Sequence, residues 1–499
     1  MNLASIVDPH PADRVALVSR GRTTTYGELR DEVARLRGGL AGLGLRPGDR
    51  VALAVPNNAW FARAYLGVLG AGLVAVPLNP ASPAAELRRE LGAVRASALV
   101  VGPTAAAAVG DLDRSALPDL AHLVALPGVD LPGAVAADDL LAADPAPLVD
   151  RAGDDLAVLM FTSGTAGAPR AAMLTHGNLL ANLEQVQGHP GRSQHPDDVT
   201  FGVLPLFHIF GLNVVLGLTL YAGSQVVLVE RFDPASALET IVRHRITVVP
   251  GAPTMWMAWA ALPDADPDAL RTVRLAASGA AKLPVETARA VEARFGVRVT
   301  EGYGLTEASP VVTTSAGQPP RPGSIGVLVP RMEMRLVDSD GEDALVGDAG
   351  EIWVRGPNVF AGYWEDPEAT AAVLTADGWL RTGDVAVVDD DGWCYLVDRA
   401  KDLIIVSGFN VFPAEVEDVI AAHPAVAGVA VVGVPHPYQG ETVKAVVVLR
   451  EGANVEEDDL IRWCEQRIAR YKCPTKVMFV DELPVGAGGK VLRRALRAS

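Results

Sequence analysis

The segment FTSGTAGAPR (residues 161–170) concentrates residues that could do chemistry. Five of its ten residues are Thr, Ser or Gly, a cation closes it, and the apolar run LAVLM (156–160) leads into it. A run that short and apolar reads as a buried strand, and the switch to small hydroxylated residues reads as the loop leaving it. Glycines let main-chain N–H groups approach an anion, hydroxyls add donors, and Arg170 supplies fixed positive charge. These are the parts of a phosphate cradle, although an isolated Gly/Ser stretch is more often an ordinary turn. The GxxxxGK[ST] spacing of a Walker loop is absent. Three further polar clusters follow strand-like apolar runs: PLFHIFG (205–211), SGAAK (278–282) and EGYGLTE (301–307). In open α/β sheets ligands bind beyond the carboxyl ends of the strands, so four clusters in that topological place predict one shared site.

Taken singly, each candidate residue also has a bland reading. His208 between aromatics reads as a satisfied core histidine. Thr306-Glu307 reads as a helix start with an acid in its first turn, and GYG as a tight turn. Asp384 and Arg399 read as surface charges, and Lys490 as a solvated lysine in a basic tail. No GxSxG elbow is present, so a serine hydrolase is unsupported.

The elements that must position these residues fall into a regular alternation. Tyr26, Leu29, Val33, Leu36 and Leu40 share one helical face, with Thr25 as N-cap. Strands over 49–55, 74–78 and 98–102 and helices over 60–69 and 84–94 continue a βαβα rhythm to about residue 304. That rhythm predicts parallel sheets covered by helices on both faces. The glycine run 42–48 precedes a strand instead of following one, so a Rossmann dinucleotide fingerprint fails on context. From 322 to 398 short strands and the turn signals DSDG and DDDG predict hairpins and a small barrel-like β unit. After DRAKD (398–402) comes a compact α+β segment ending in a basic helix.

Composition narrows the function classes. A chain of 499 residues with 49% apolar and 21% charged residues describes globular structure in at least two domains. Net charge is −17 with acids and bases interspersed, so no basic stripe is available and nucleic acid is not expected as a partner. Cys394, Cys464 and Cys473 lack CxxC spacing, which argues against a metal or disulfide framework and for a reducing, cytoplasmic setting. No signal peptide is expected from the first residues. The stretch 211–229 holds Asn213, Thr219, Ser224 and Gln225 and reads as a buried helix–turn–strand unit, so no transmembrane segment is expected.

With these motifs in hand, the chain resembles the adenylate-forming superfamily, which contains acyl-CoA synthetases, adenylation domains of nonribosomal peptide synthetases and beetle luciferases. FTSGTAGAPR, PLFHIFG, EGYGLTE, RTGD (381–384), DRAKD and GGK (488–490) carry the resemblance, in order, over nearly the whole chain. The segments 406–420 and 204–213 look most like bacterial medium- and long-chain fatty acid–CoA ligases. The resemblance implies an α/β fold: a large N-terminal domain of doubly wound, mostly parallel sheets plus the small barrel-like unit, then a small mobile α+β C-terminal domain. It implies a large domain over 1–398, a hinge over 399–402 and a C-terminal lid over 403–499. It also implies a two-step ligase: a carboxylic acid plus ATP gives acyl-AMP and pyrophosphate, then CoA displaces AMP, with Mg²⁺ as the cofactor. The implied substrate is a medium- to long-chain fatty acid. The alternatives are an aryl-CoA ligase of benzoate or cinnamate type, an acyl-AMP ligase loading a carrier protein, and a nucleotide-binding protein without catalysis.

Residue by residue, the resemblance assigns Thr162, Ser163, Gly164, Thr165, Ala166 and Gly167 to the phosphate loop, with Arg170 where the family usually has lysine. Glu307 is the implied Mg²⁺ ligand, with Thr165 a second candidate, and Thr306 contacts phosphate. Gly279, Ala280, Ala281, Glu301, Gly302, Tyr303 and Gly304 line the nucleotide, with Tyr303 against adenine. Asp384 and Arg399 meet the ribose hydroxyls. His208, Gly211, Ala280 and Gly304 border the acyl pocket, His208 at the carboxylate entrance and not as a base. Lys490 bridges carboxylate and α-phosphate during adenylation. Lys401 is the implied hinge, and Ser407, Gly408 and Phe409 approach CoA, with Ser407 where lysine is frequent. The motif around Lys490 also resembles a lysine acetylation site of related ligases, and a homodimer is compatible with the resemblance.

Overall fold

The computed structural model describes the chain except for residues 163–169, 192, 320, 339, 400–403, 407–408, 412, 437–439, 469, 486–490 and 498–499. Contacts divide it into two compact units. The first comprises residues 1–322, 326–333 and 354–380, and the second residues 323–325, 334–353 and 381–499.

The first unit is built on two large sheets. A seven-stranded sheet pairs Arg50–Ala54, Val74–Pro77, Ala98–Val101, His122–Ala125, Val135–Ala136 and Leu156–Thr162 in parallel, and ends on antiparallel Arg170–Thr175. Val51, Ala52, Leu53 and Ala54 are all fully buried, as expected of a parallel strand covered on both faces. One covering helix, Tyr26–Gly42, starts where its sequence predicts. Thr25 Oγ1 accepts from the Glu28 amide at 3.2 Å and Glu28 Oε2 accepts from the Thr25 amide at 2.7 Å, a closed capping box. Its buried face is Tyr26, Leu29, Val33, Leu36 and Leu40. It packs on helix Ala59–Gly70, whose Gly67 has no room for a side chain against Leu36.

The nine-stranded sheet of the same unit sets Val199–Gly202, Val248–Gly251, Leu275–Ser278 and Val299–Gly304 side by side in parallel, with antiparallel strands at both edges. The stretch after residue 210 is a π-helix, Phe210–Gly217, followed by a short helix Leu218–Tyr221 and strand Gln225–Leu228. This agrees with a buried helix–turn–strand unit, and no helix among the described residues is long and apolar enough to cross a membrane.

One expectation is corrected here. Residues Glu301–Gly304 are not a turn beyond a strand but the end of the strand itself. Past its parallel register with Leu275–Ser278, the strand pairs antiparallel with Val311–Thr314, joining Gly302 to Thr314 and Tyr303 to Thr313. The backbone groups that a turn would leave open are satisfied by that second partner.

The second unit holds a four-stranded sheet of Glu333–Val337, Ala349–Arg355, Leu380–Val388 and Cys394–Arg399 in that order. Its five-stranded sheet centres on the antiparallel pair Val426–His436 and Gly440–Leu449. Helices Pro413–Ala421 and Glu457–Glu465 bury Val416, Ile420, Leu460 and Cys464 against Val431, Val443, Ala445 and Val447. Lys472 pairs with Glu415 at 2.7 Å, and Arg493 with Glu417 at 2.8 Å.

Candidate active site

Three of the four polar clusters converge at the carboxyl edge of the nine-stranded sheet. Gly279 follows strand Leu275–Ser278, and a β-carbon there would lie 3.0 Å from the Phe210 ring and 3.7 Å from the Gly302 carbonyl oxygen. PLFHIFG, SGAAK and EGYG therefore share one wall. The approach is specific to glycine at Gly304, where any side chain would overlap the Pro310 carbonyl. Ala280 sits at φ +71°, a left-handed conformation rare for a residue with a β-carbon, and such strain clusters at working sites. Ala281, next in line, is exposed.

Buried amides hold this wall. Asn57, just beyond strand Arg50–Ala54, donates to the carbonyls of Val203 at 3.2 Å and Leu204 at 2.7 Å and accepts from the Leu206 amide at 3.0 Å. Asn213 in the π-helix donates to the carbonyls of Leu179 at 3.2 Å and Ser309 at 2.7 Å. The wider turn of a π-helix is uncommon and recurs at functional sites. His208 Nδ1 accepts from the Phe210 amide at 3.2 Å, which leaves the proton of a neutral ring on Nε2. Glu301 accepts from the Leu283 amide at 3.2 Å, and burial pushes its carboxyl up to about 7. Tyr303 is buried.

The fourth cluster reaches the same region through residues 360–364. Thr162 and Arg170 are cross-strand partners, so the residues on either side of segment 163–169 are paired. Residues Ser163, Gly164, Thr165, Ala166 and Gly167 lie outside the described residues. Strand Arg170–Thr175 is bonded to 361–364: the Met173 amide donates to the Gly362 carbonyl at 2.9 Å, and the Trp364 amide to the Ala171 carbonyl at 2.8 Å. The same segment touches the turn Thr306–Ala308, where the Phe360 amide donates to the Glu307 carbonyl at 2.8 Å. Tyr363 lies between the two. Its hydroxyl donates to Glu307 Oε1 at 2.7 Å, and the Arg170 guanidinium stands 5.7 Å from its ring centre. Arg170 Nε also donates to Asp366 at 3.1 Å. Burial and the Glu307 carboxylate push the Tyr363 hydroxyl well above its ordinary range, so it stays a donor.

Tyr363, Asp366, Asn57 and Asn213 were missed by sequence reasoning. The pair Asp366-Pro367 carries a helix-start signal, and Asp366 Oδ1 does cap helix Pro367–Val373 through the Ala369 amide at 2.9 Å. Nothing local marks the other three.

In the second unit, Asp384 and Arg399 are cross-strand neighbours. The Gly383 amide donates to Glu351 Oε1 at 2.9 Å, and the Thr382 hydroxyl to the Ile352 carbonyl at 2.7 Å, which fixes the strand segment just before Asp384. Lys401, Ser407, Gly408 and Lys490 lie outside the described residues, and Phe409 is described for its backbone alone, in strand Phe409–Val411. Lys490 is flanked by an antiparallel bridge between Val485 and Val491 and by the Leu492 amide donating to the Pro484 carbonyl at 2.8 Å.

Mg²⁺ is the metal that the motif set implies. Among the described residues no group of three or more His, Cys, Asp and Glu side chains could hold a metal ion. Glu307 offers one carboxylate with Oε1 already bonded to Tyr363. A single hard oxygen donor suits Mg²⁺ when substrate phosphates and water supply the other ligands. The residues present fit that ion in that mode.

The model of the AMP-binding enzyme family matches residues 4–364, and that of the AMP-binding enzyme C-terminal domain matches residues 415–490. The chain belongs to the AMP-binding enzyme family. It is 41% identical to a feruloyl-CoA synthase of Amycolatopsis sp over 482 residues, 96% of this chain and 94% of that one. It is 35% identical to a long-chain-fatty-acid–CoA ligase of Bacillus subtilis over 513 residues, 97% and 91% of the two chains. ATP-bound MatB from Rhodopseudomonas palustris superposes with a TM-score of 0.92 at 34% identity, covering 100% of this chain and 98% of that one. The family, the α/β fold and the ligase class read from the motifs therefore stand: this AMP-binding enzyme is an AMP-forming acyl- or aryl-CoA ligase using ATP and CoA.

Proposed function

We propose that the acid activated is aromatic, of benzoate or cinnamate type, and that the enzyme joins it to CoA through an enzyme-bound aryl-AMP. The observation that carries this reading is the closeness of the Phe210 ring to Gly279, where an added β-carbon would lie 3.0 Å from the ring and 3.7 Å from the Gly302 carbonyl oxygen. An aromatic ring beside a glycine wall suits a planar acyl group, which packs without ordering many rotors. The feruloyl-CoA synthase, at 41% identity, supports the same class. A medium- to long-chain fatty acid is the second reading, favoured by the ligase at 35% identity and by the buried Leu212, Val214 and Val215 that follow Phe210 in the π-helix.

In the proposed mechanism a carboxylate oxygen attacks the α-phosphorus, the bond to pyrophosphate breaks, and the CoA thiol then displaces AMP from the acyl carbon. Charge accumulates on phosphate, and fixed donors there stabilise the transition state. Thr162, the loop residues 163–167 and Arg170 hold the phosphates, and His208 Nε2 donates to the incoming carboxylate. Mg²⁺ bound with ATP would offset phosphate charge, held on the protein side by Glu307. Lys490 supplies the ammonium for adenylation, Lys401 is the hinge, and residues 407–409 contact CoA; these roles rest on sequence motifs. Acetylation of Lys490 would remove its charge and silence the first step. The three buried cysteines form no disulfide, which supports a cytoplasmic setting.

The test is a pyrophosphate-release screen over benzoates, cinnamates and graded alkanoates, with and without CoA. Aromatic acids are expected to give the highest kcat/KM. An optimum among C8–C16 alkanoates would transfer the assignment to the second reading.

A further inference from the structure

Arg170 and Glu307 have opposite charges and stand on either side of one side chain. Tyr363 gives its hydroxyl to Glu307 Oε1 at 2.7 Å, while its ring faces the Arg170 guanidinium at 5.7 Å. Arg170 Nε is also paired with Asp366 at 3.1 Å. The Tyr363 backbone is anchored independently: its amide donates to Thr370 Oγ1 at 2.9 Å, and it bridges to Ala172. Asp366 is anchored as well, since it caps the following helix. A cation and a carboxylate left adjacent in a half-buried site would pair with each other, and each would then be neutralised for any third group.

We propose that Tyr363 is a positioning residue that keeps Glu307 and Arg170 apart and correctly turned, Glu307 toward the nucleotide's metal ion and Arg170 toward its phosphates. This rests on the metal role given to Glu307 above. The hydroxyl occupies Oε1 and leaves Oε2 as the outward oxygen. The ring holds the guanidinium by its face without using its hydrogen bonds. Arg170 stands where the resemblance leads one to expect lysine, and a planar cation can lie over a ring and still present an edge.

Calorimetric titration of the full-length enzyme with ATP, once with Mg²⁺ and once with excess EDTA, reads this directly. In the wild type Mg²⁺ is expected to tighten ATP binding. Tyr363→Phe keeps the ring and removes the hydroxyl, and is expected to reduce that metal-dependent gain about tenfold while metal-free ATP affinity stays within about twofold. Tyr363→Leu removes the spacer too, and is expected to abolish the gain and weaken metal-free binding as Arg170 turns to Glu307. A purely structural role would lower both affinities together and lower Tm. If Glu307→Gln abolishes the gain but Tyr363→Phe leaves it intact or lowers both affinities equally, the positioning role is overturned and the Glu307 assignment survives. If Glu307→Gln keeps the gain, the metal assignment fails and this inference fails with it.

Discussion

At Gly279 the absence of one methyl group lets the Phe210 ring come close to the backbone. A β-carbon there would stand 3.0 Å from the Phe210 ring, so Gly279→Ala requires the ring to yield by a few tenths of an ångström. Overpacking of this kind costs about 1–3 kcal/mol. The expected outcome is a KM for the aromatic acid raised about tenfold with the KM for ATP unchanged, read by steady-state pyrophosphate release. Glu301 allows a prediction of a different kind. Its carboxyl is held at about 7 against an ordinary 4.5, because burial disfavours the charged form. The folded protein therefore binds this proton more tightly than the unfolded chain. The associated stability is fully present below about 4.5 and is lost as pH rises through about 7. Glu301→Gln has no such proton, so its Tm should fall less than that of the wild type as pH rises across this window. Parallel Tm profiles for the two proteins would contradict the burial argument.

Among the elements, the most exposed to a single change is the loop leaving strand Val199–Gly202, which leads to His208 and Phe210. Asn57 satisfies three backbone groups of residues 203–206 at once. Asn57→Ala leaves those groups buried without partners, at about 1–3 kcal/mol for each one that water cannot reach. A lower Tm and a fall of about tenfold or more in kcat/KM are expected together, whereas Asn57→Asp should restore only the bond to the Leu206 amide. What the sequence revealed of the elements follows from the same physics. Helix Tyr26–Gly42 was legible because its cap and its buried face are both local signals. The strand ends at 202, 278 and 304 were legible as places because apolar runs stop near them. That Glu301–Gly304 stay in the sheet was not, because their second partner, Val311–Thr314, is a tertiary choice. The π-helix was also invisible, since its identity depends on Asn213 finding two carbonyls far away in sequence. Tyr363 left no trace for the same reason: its partners Arg170 and Glu307 lie 193 and 56 positions away.

For the whole molecule, the groups proposed to serve the reaction are divided between the two contact units. The first unit carries Arg170, His208, Phe210, Gly279 and Glu307, and the second carries Asp384, Arg399 and Lys490. Lys490→Ala is therefore expected to lower adenylation by about 10²–10⁴-fold, the range attached to one oriented charged group. Thioester formation from supplied aryl-AMP should remain within about threefold of the wild type, because that step uses no α-phosphate displacement. Equal loss in both half-reactions would remove Lys490 from the first step. The most direct measurement of the central claim uses the oxygen of the acid itself. Cinnamate labelled with ¹⁸O in its carboxylate is turned over with ATP, Mg²⁺ and CoA, and the products are weighed by mass spectrometry. Attack of the carboxylate on the α-phosphorus predicts that each AMP carries one labelled oxygen and that pyrophosphate carries none. Unlabelled AMP, or label in inorganic phosphate beside ADP, would contradict an adenylate intermediate.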